Sequence, residues 1–329
     1  MLIDVAHPDK WDELNDELRS FLNLSAKVRA RAFYGISQAV FEISQSTAHF
    51  MSHKKAMGVV KGQTPLFESL LPYYYKETYK VQVASFQDLL NPTEWVQQLE
   101  KDTCFVLLSE DHPVTGETYP FVEELDKLLN EKRIFVFRVS HHRHFYEGIE
   151  LKPYTVRLCS YGAQAAVALL GERFRSPSLS TQGLNWDKEA FIKSLIEARD
   201  GRAQNRLEVE KFEKQITAPA RAWFSANNEN RIYDRAVAVF NDVNGEALAQ
   251  KVFEKLGIPV QEGWRQMDTP NQCHWNAVRM FKTWWQPEPT TEDLRGMMII
   301  SLSLLETKDF AKTLISSYEE IKALQSWEV

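Results

Sequence analysis

Between residues 56 and 170 short apolar runs recur, most of them separated by stretches of helical spacing, and that beat constrains the fold more than any other feature. Ala56-Met57-Gly58-Val59-Val60, Cys104-Phe105-Val106-Leu107-Leu108, Ile134-Phe135-Val136-Phe137, Val156 to Ser160 and Ala165 to Leu170 read as strands. Lys80 to Ala84 alternates apolar and polar residues, the other strand signature. Leu66 to Tyr75, Pro92 to Glu100 and Phe121 to Glu131 read as helices, the last with Val122, Leu125, Leu128 and Leu129 on one side. Strands that are apolar at nearly every position need cover on both faces, and the intervening helices supply it. The pattern predicts an α/β fold, a mostly parallel sheet sandwiched by helices.

The flanks read differently. Residues 10–25 predict a polar amphipathic helix, and residues 29–52 a longer one with Phe33, Ile36, Val40, Ile43 and Phe50 at helical spacing. Residues 186–224 are helix-rich, and the charge run from Ala198 to Lys214 reads as a solvated face. Arg235 to Phe240 predicts a strand, Asn241 to Asn244 a turn, and Gly245 to Leu256 a helix closed by Gly257. A further strand is expected within Trp275 to Trp284, then helices over 291–305 and 308–325, with Thr290 or Thr291 as the cap ahead of Glu292 and Asp293. The expected organisation is an N-terminal helical segment (1–25), a large α/β domain (26–215) and a small C-terminal α+β domain (216–329).

Composition excludes several function classes. Lys plus Arg number 39 and Asp plus Glu 45, so the net charge of −6 provides no global footprint for nucleic acid. No stretch approaches the roughly 18 apolar residues of a membrane span. The first residues, Met1 to Asp9, lack the basic and apolar regions of a signal peptide, so a cytoplasmic protein is expected. The three cysteines, Cys104, Cys159 and Cys273, are far apart and fit neither a disulfide framework nor structural zinc. Cys104 and Cys159 lie in apolar runs and read as core.

Four segments carry a resemblance. Glu110-Asp111-His112-Pro113-Val114-Thr115-Gly116 follows an apolar strand, Ile134 to His141 is a strand ending in basic residues, Ser160 to Arg173 contains Gly171-Glu172-Arg173, and Asn276-Ala277-Val278-Arg279 lies in the C-terminal region. In this order they resemble the fold type I pyridoxal-phosphate-dependent transferases, the aminotransferase and cysteine desulfurase group, over about residues 30–325. The resemblance implies a homodimer and a cleft at the carboxyl edge of the sheet. It places His112 where the family has an Asn against the cofactor ring, Thr115 beside it, and Arg279 where an arginine grips a substrate carboxylate. It also assigns the phosphate loop to Gly62-Gln63-Thr64-Pro65, whose backbone N–H groups at a helix start suit an anion. Gln63, Thr64, His141, Ser160 and Arg173 complete the expected cleft.

The departures from that family decide the functional expectation. The Schiff-base lysine would follow Ser160 by three residues, where Ala163 stands; a register set on Arg173 moves the place to Ala165, and no lysine occurs between Pro153 and Arg175. The place of the Asp that protonates the pyridine nitrogen is held by Arg138, a cation that cannot stabilise a pyridinium. Loss of both groups predicts a degenerate member without pyridoxal chemistry, with no cofactor, binding a small anionic ligand between Arg138, Arg173 and Arg279 or serving as a scaffold. One alternative is an active pyridoxal-phosphate enzyme whose lysine comes from elsewhere, such as Lys152. Another is an unrelated enzyme using the histidine loop as acid and base. His141, His142 and His144 with Glu147 or Glu150 are open to three readings, a metal set, a basic ligand-facing loop or plain surface; no metal site is assigned. Gly-x-Ser-x-Gly, Walker, dinucleotide and His-Glu-x-x-His patterns are absent.

Overall fold

The computed structural model of the chain describes residues 2–3, 16–33, 35–60, 65–77, 79–112, 116–140, 149–160, 166–174, 186–216, 220–222, 231, 233, 235–257, 267–268 and 290–325. Two units are formed, Met1–Pro113 with Thr118–Asp200, and Val114–Glu117 with Gly201–Val329.

In chain order the first unit contains β1 (Leu2–Ile3), β2 (Arg29–Phe33), α1 (Ile36–Phe50), β3 (Ala56–Val60), α2 (Pro65–Lys76), β4 (Lys80–Ala84), α3 (Phe86–Leu89), α4 (Pro92–Gln98), β5 (Thr103–Ser109), α5 (Val122–Glu131), β6 (Phe135–Ser140), β7 (Thr155–Ser160), β8 (Ala166–Leu170), β9 (Trp186–Asp187) and α6 (Lys188–Asp200). Seven strands make one sheet in the order β2-β8-β7-β6-β5-β3-β4. β7, β6, β5, β3 and β4 run parallel, and β8 is antiparallel to both of its neighbours. The α/β class and the mostly parallel sheet expected from the strand–helix beat are therefore present.

Alternation along each strand sorts residues to two faces. On one face Met57, Phe105, Phe137 and Leu158 pack with Val40 and Ile43 of α1 and with Phe67 and Tyr74 of α2. On the other, Cys159, Val167 and Leu169 pack with Leu18, Leu22, Phe191 and Leu195. Burial pushes the Cys104 thiol up to about 12 and lifts that of Cys159 above its ordinary value, so both behave as small hydrophobes.

Two expectations are corrected. The helix predicted over 29–52 begins only at Ile36, because Arg29–Phe33 forms β2, paired with β8 from Arg29↔Leu170 to Phe33↔Ala166. Arg and Ala favour helix locally, and tertiary pairing overrides that preference. Phe50, counted in the apolar stripe, is 55% exposed. The helix predicted over 291–305 is likewise interrupted by a strand, Met297–Ser301, since a short apolar run such as Met-Met-Ile-Ile has no decisive period.

The second unit contains α7 (Arg202–Gln215), β10 (Ala220–Ala222), β11 (Arg235–Phe240), α8 (Gly245–Leu256), β12 (Met267–Asp268), α9 (Thr291–Gly296), β13 (Met297–Ser301), α10 (Leu302–Leu305) and α11 (Phe310–Gln325). Its sheet, β10-β11-β13-β12, is antiparallel throughout. Val209, Phe212 and Ile216 of the α7 region join Phe240, Phe253 and Phe310 in its core. α7 thus packs within the second unit. α8 has the expected bounds, with the Asn244 side chain accepting from Glu246 N at 2.8 Å and Gly257 at φ 66° beyond its end.

The cap read at Thr290 or Thr291 forms at Thr290. Its hydroxyl accepts from Asp293 N at 3.1 Å, and the Asp293 carboxylate accepts from Thr290 N at 2.8 Å. Thr290→Ala is expected to cost about 1 kcal/mol, read as a lowered urea midpoint with unchanged slope. The strand expected within Trp275 to Trp284 lies outside the described residues. Among the described residues no helix is long and apolar enough to cross a membrane.

Candidate functional site

In open α/β sheets ligands bind beyond the carboxyl ends of the strands. Here β5 ends at Ser109, β6 at Ser140 and β7 at Ser160, so parallel strands bring three hydroxyls to one edge. The Ser109 hydroxyl donates to Asp111 O at 2.7 Å and to Val139 O at 3.3 Å. The Ser140 hydroxyl donates to the Asp111 carboxylate. Asp111 and Thr118 form an antiparallel bridge, and Tyr119 N donates to Glu110 O at 2.9 Å, which closes the loop that leaves β5. His112 is buried in this loop, edge-on to the Tyr119 ring with centroids 6.3 Å apart.

The ten expected cleft residues fare differently. His112 and Ser160 lie at this edge. Gln63, Thr64, Thr115, His141, Ala163 and Arg279 fall outside the described residues. Arg173 is at the other end of the sheet: β8 runs antiparallel, so the chain leaves it at the amino edge, where Arg173 N donates to Pro153 O at 2.9 Å just ahead of β7. Its side chain is exposed.

Arg138 lies in the interior of β6 and is 5% exposed. Its guanidinium meets three carboxylates: Nε donates to Glu110, Nη1 to Asp126 at 3.1 Å and Nη2 to Glu123 at 2.6 Å. Arg157 of β7 donates to the second Glu110 oxygen through Nε at 2.8 Å and lies within 2.6 Å of it through Nη2. Lys152 Nζ lies 2.9 Å from Asp126 and 3.5 Å from Glu123. Thr155 Oγ1 and Asn130 Nδ2 donate to the remaining Asp126 oxygen. Three cations and three anions are thus joined on the α5 side of the sheet. Burial by itself would raise the Glu110 carboxyl; the Arg157 and Arg138 guanidiniums outweigh it and hold it below the ordinary carboxylate value. The same balance of burial against Arg138 and Lys152 lowers Glu123.

Sequence reasoning missed Glu110, Asp126 and Arg157 as partners. One signal was available: Asp126 occupies the buried stripe of α5 with Val122, Leu125 and Leu129, a place where an acid requires a partner.

Among the described residues, lysines recur at one edge of the sheet. Lys55, Lys80, Lys101, Lys132 and Lys152 each precede or open one of the five parallel strands, which puts all five at the amino edge. Among the described residues no group of three His, Cys, Asp or Glu side chains is arranged to hold a metal; His141, His142 and His144 lie outside them.

No family model and no curated protein sequence matches the chain. Solved structures do. A NifS-like protein matches with a TM-score of 0.69 and 12% identity, over 95% of this chain and 87% of that one. The NifS-like protein of Rickettsia africae matches at 0.65 and 12%, over 96% and 89%. The glutamate decarboxylase of Lactobacillus brevis matches at 0.63 and 9%, over 95% and 80%. At these identities the likeness speaks for the fold alone, and it agrees with the motif order read from the sequence: the chain has the fold of the fold type I pyridoxal-phosphate-dependent transferases.

Proposed function

We propose that this protein keeps the fold type I scaffold without Schiff-base catalysis and acts as a binder of a small anionic ligand or as a scaffold. The observation that carries the reading is the absence of a lysine in the segment where the resemblance places the Schiff-base amine. A Schiff-base amine must stand at the carboxyl edge, and among the described residues the lysines flanking the parallel strands stand at the other; Lys61, the residue after β3, lies outside them. Lys152, the substitute considered from the sequence, is one of the amino-edge lysines and is ion-paired to Asp126. The segment between Pro153 and Arg175 contains no lysine. Arg138, at the place of the ring-nitrogen acid, is a buried cation matched to chain carboxylates. These residues do not fit covalent attachment of pyridoxal phosphate or protonation of its ring.

The ligand arm is narrower than the sequence alone suggested. Arg138 is neutralised by its neighbours and Arg173 is at the amino edge; the other expected anion contacts, Gln63, Thr64 and Arg279, lie outside the described residues. The competing reading, an active pyridoxal-phosphate enzyme, draws on the fold likeness. One experiment separates them. The purified protein is mixed with pyridoxal phosphate, reduced with borohydride and examined by peptide mass analysis. No stoichiometric pyridoxyl adduct is expected; an adduct confined to one lysine overturns the proposal. A thermal-shift screen of anionic metabolites, with Arg279→Ala as control, divides binder from scaffold.

A further inference from the structure

Arg138 and Arg157 are direct register partners on the adjacent parallel strands β6 and β7, and both side chains reach Glu110 on one side of the sheet. Like charges facing each other across a ladder repel, and here they do so largely out of water, with the Arg157 side chain only 16% exposed. Glu110 lies between them with one carboxylate oxygen on each guanidinium: Oε1 accepts from Arg138 Nε, and Oε2 accepts from Arg157 Nε at 2.8 Å. Charge-assisted pairing of planar guanidinium with carboxylate is the strongest such contact available to a chain.

We propose that the Arg138–Arg157 pair is a carboxylate-binding site and that Glu110 is its tethered, resident ligand, which fixes the loop at the carboxyl edge of the sheet. The placement of Glu110 supports the positioning role. It is the first residue after β5. Its N–H donates to Val139 O at 2.8 Å and its carbonyl accepts from Tyr119 N at 2.9 Å. The next residue, Asp111, takes the Ser140 hydroxyl. The anchored side chain therefore sets the point where the chain leaves the sheet, immediately before Asp111 and His112. Asp126 and Glu123 take the remaining Arg138 nitrogens, and Lys152 pairs with both of those carboxylates. This role does not depend on whether the protein catalyses.

Glu110→Ala removes a methylene and a carboxylate, the heavy atoms of acetate, so acetate is the probe. The thermal midpoints of the full-length wild type and E110A are measured in sodium acetate and in sodium chloride at equal ionic strength. E110A is expected to melt lower than wild type, and acetate is expected to raise its midpoint saturably by a few degrees above chloride. The wild type, whose site is filled, gains nothing beyond chloride. Amide exchange at Asp111 and Tyr119 is expected to quicken in E110A and to slow again in acetate. E110A combined with Arg157→Met is expected to lose the acetate gain. If E110A does not accumulate as folded protein, its refolding yield in acetate against chloride is the readout. Acetate no better than chloride for E110A, or equally effective on wild type, overturns the proposal.

Discussion

Replacing Arg138 with Leu is expected to remove about 3–5 kcal/mol of stability near neutral pH, because it leaves buried carboxylates without their cation. The core of the effect is Glu110 and Asp126, both within the interior. The contact with Glu123 contributes little, since that side chain is 71% exposed and screened by water. Charge counting shows the imbalance: the six-membered cluster loses one of its three cations and keeps three anions. Lys152 and Arg157 remain, and neither can reproduce the three-way contact of Arg138.

The loss carries a pH signature. In the wild type the carboxyls of Glu110 and Glu123 lie below their ordinary values. Such groups contribute stability that is fully present above the unfolded carboxylate value and is lost as pH falls through the lowered folded value. In Arg138→Leu the stranded carboxylates lose that lowering and take up protons at higher pH, which relieves their repulsion. The difference between the two proteins is therefore largest near neutrality and shrinks toward pH 4. Urea unfolding at both pH values measures it. A loss below about 1 kcal/mol, the scale of a surface pair, or a loss independent of pH, contradicts the account.

Gly296→Ala is the second large effect, expected to cost about 3 kcal/mol or more through steric overlap. A Cβ on Gly296 would lie 2.0 Å from the Phe240 carbonyl oxygen and 3.0 Å from its carbon. These are backbone atoms of β11, so no rotamer change relieves the overlap. Gly296 leads directly into β13, whose Met297 pairs with Val239 of β11. The two strands must separate where their ladder begins. Gly257→Ala is the control. Its φ of 66° strains an alanine, but nothing lies within 4 Å of the added carbon, so only the backbone cost of about 1–2 kcal/mol applies. The thermal midpoint of Gly296→Ala should fall further than that of Gly257→Ala. The reverse order would show that backbone conformation outweighs overlap at these sites.

The strand–helix beat was legible because it is local. β4, β11 and α8 fall at the bounds read from residue spacing, and Thr290 and Gly257 announce a helix start and a helix end by their own chemistry. Order of motifs was enough for the fold type, and the missing lysine between Pro153 and Arg175 was evident from composition alone. Pairing decided the rest. Arg29–Phe33 has a helical composition and becomes a strand because β8 lies beside it. Arg138 reads as a cleft cation until β5, β6, β7 and α5 bring Glu110, Arg157 and Asp126 to it from positions 12 to 28 residues away in the chain. Arg173 and Lys152 look close to the site in sequence, yet the antiparallel course of β8 and the start of β7 put both at the opposite edge. Periodicity and caps act over one or two turns and are written in the residues themselves. Which edge a side chain reaches, and which charge it meets there, depends on strand order and direction, which only the folded sheet supplies.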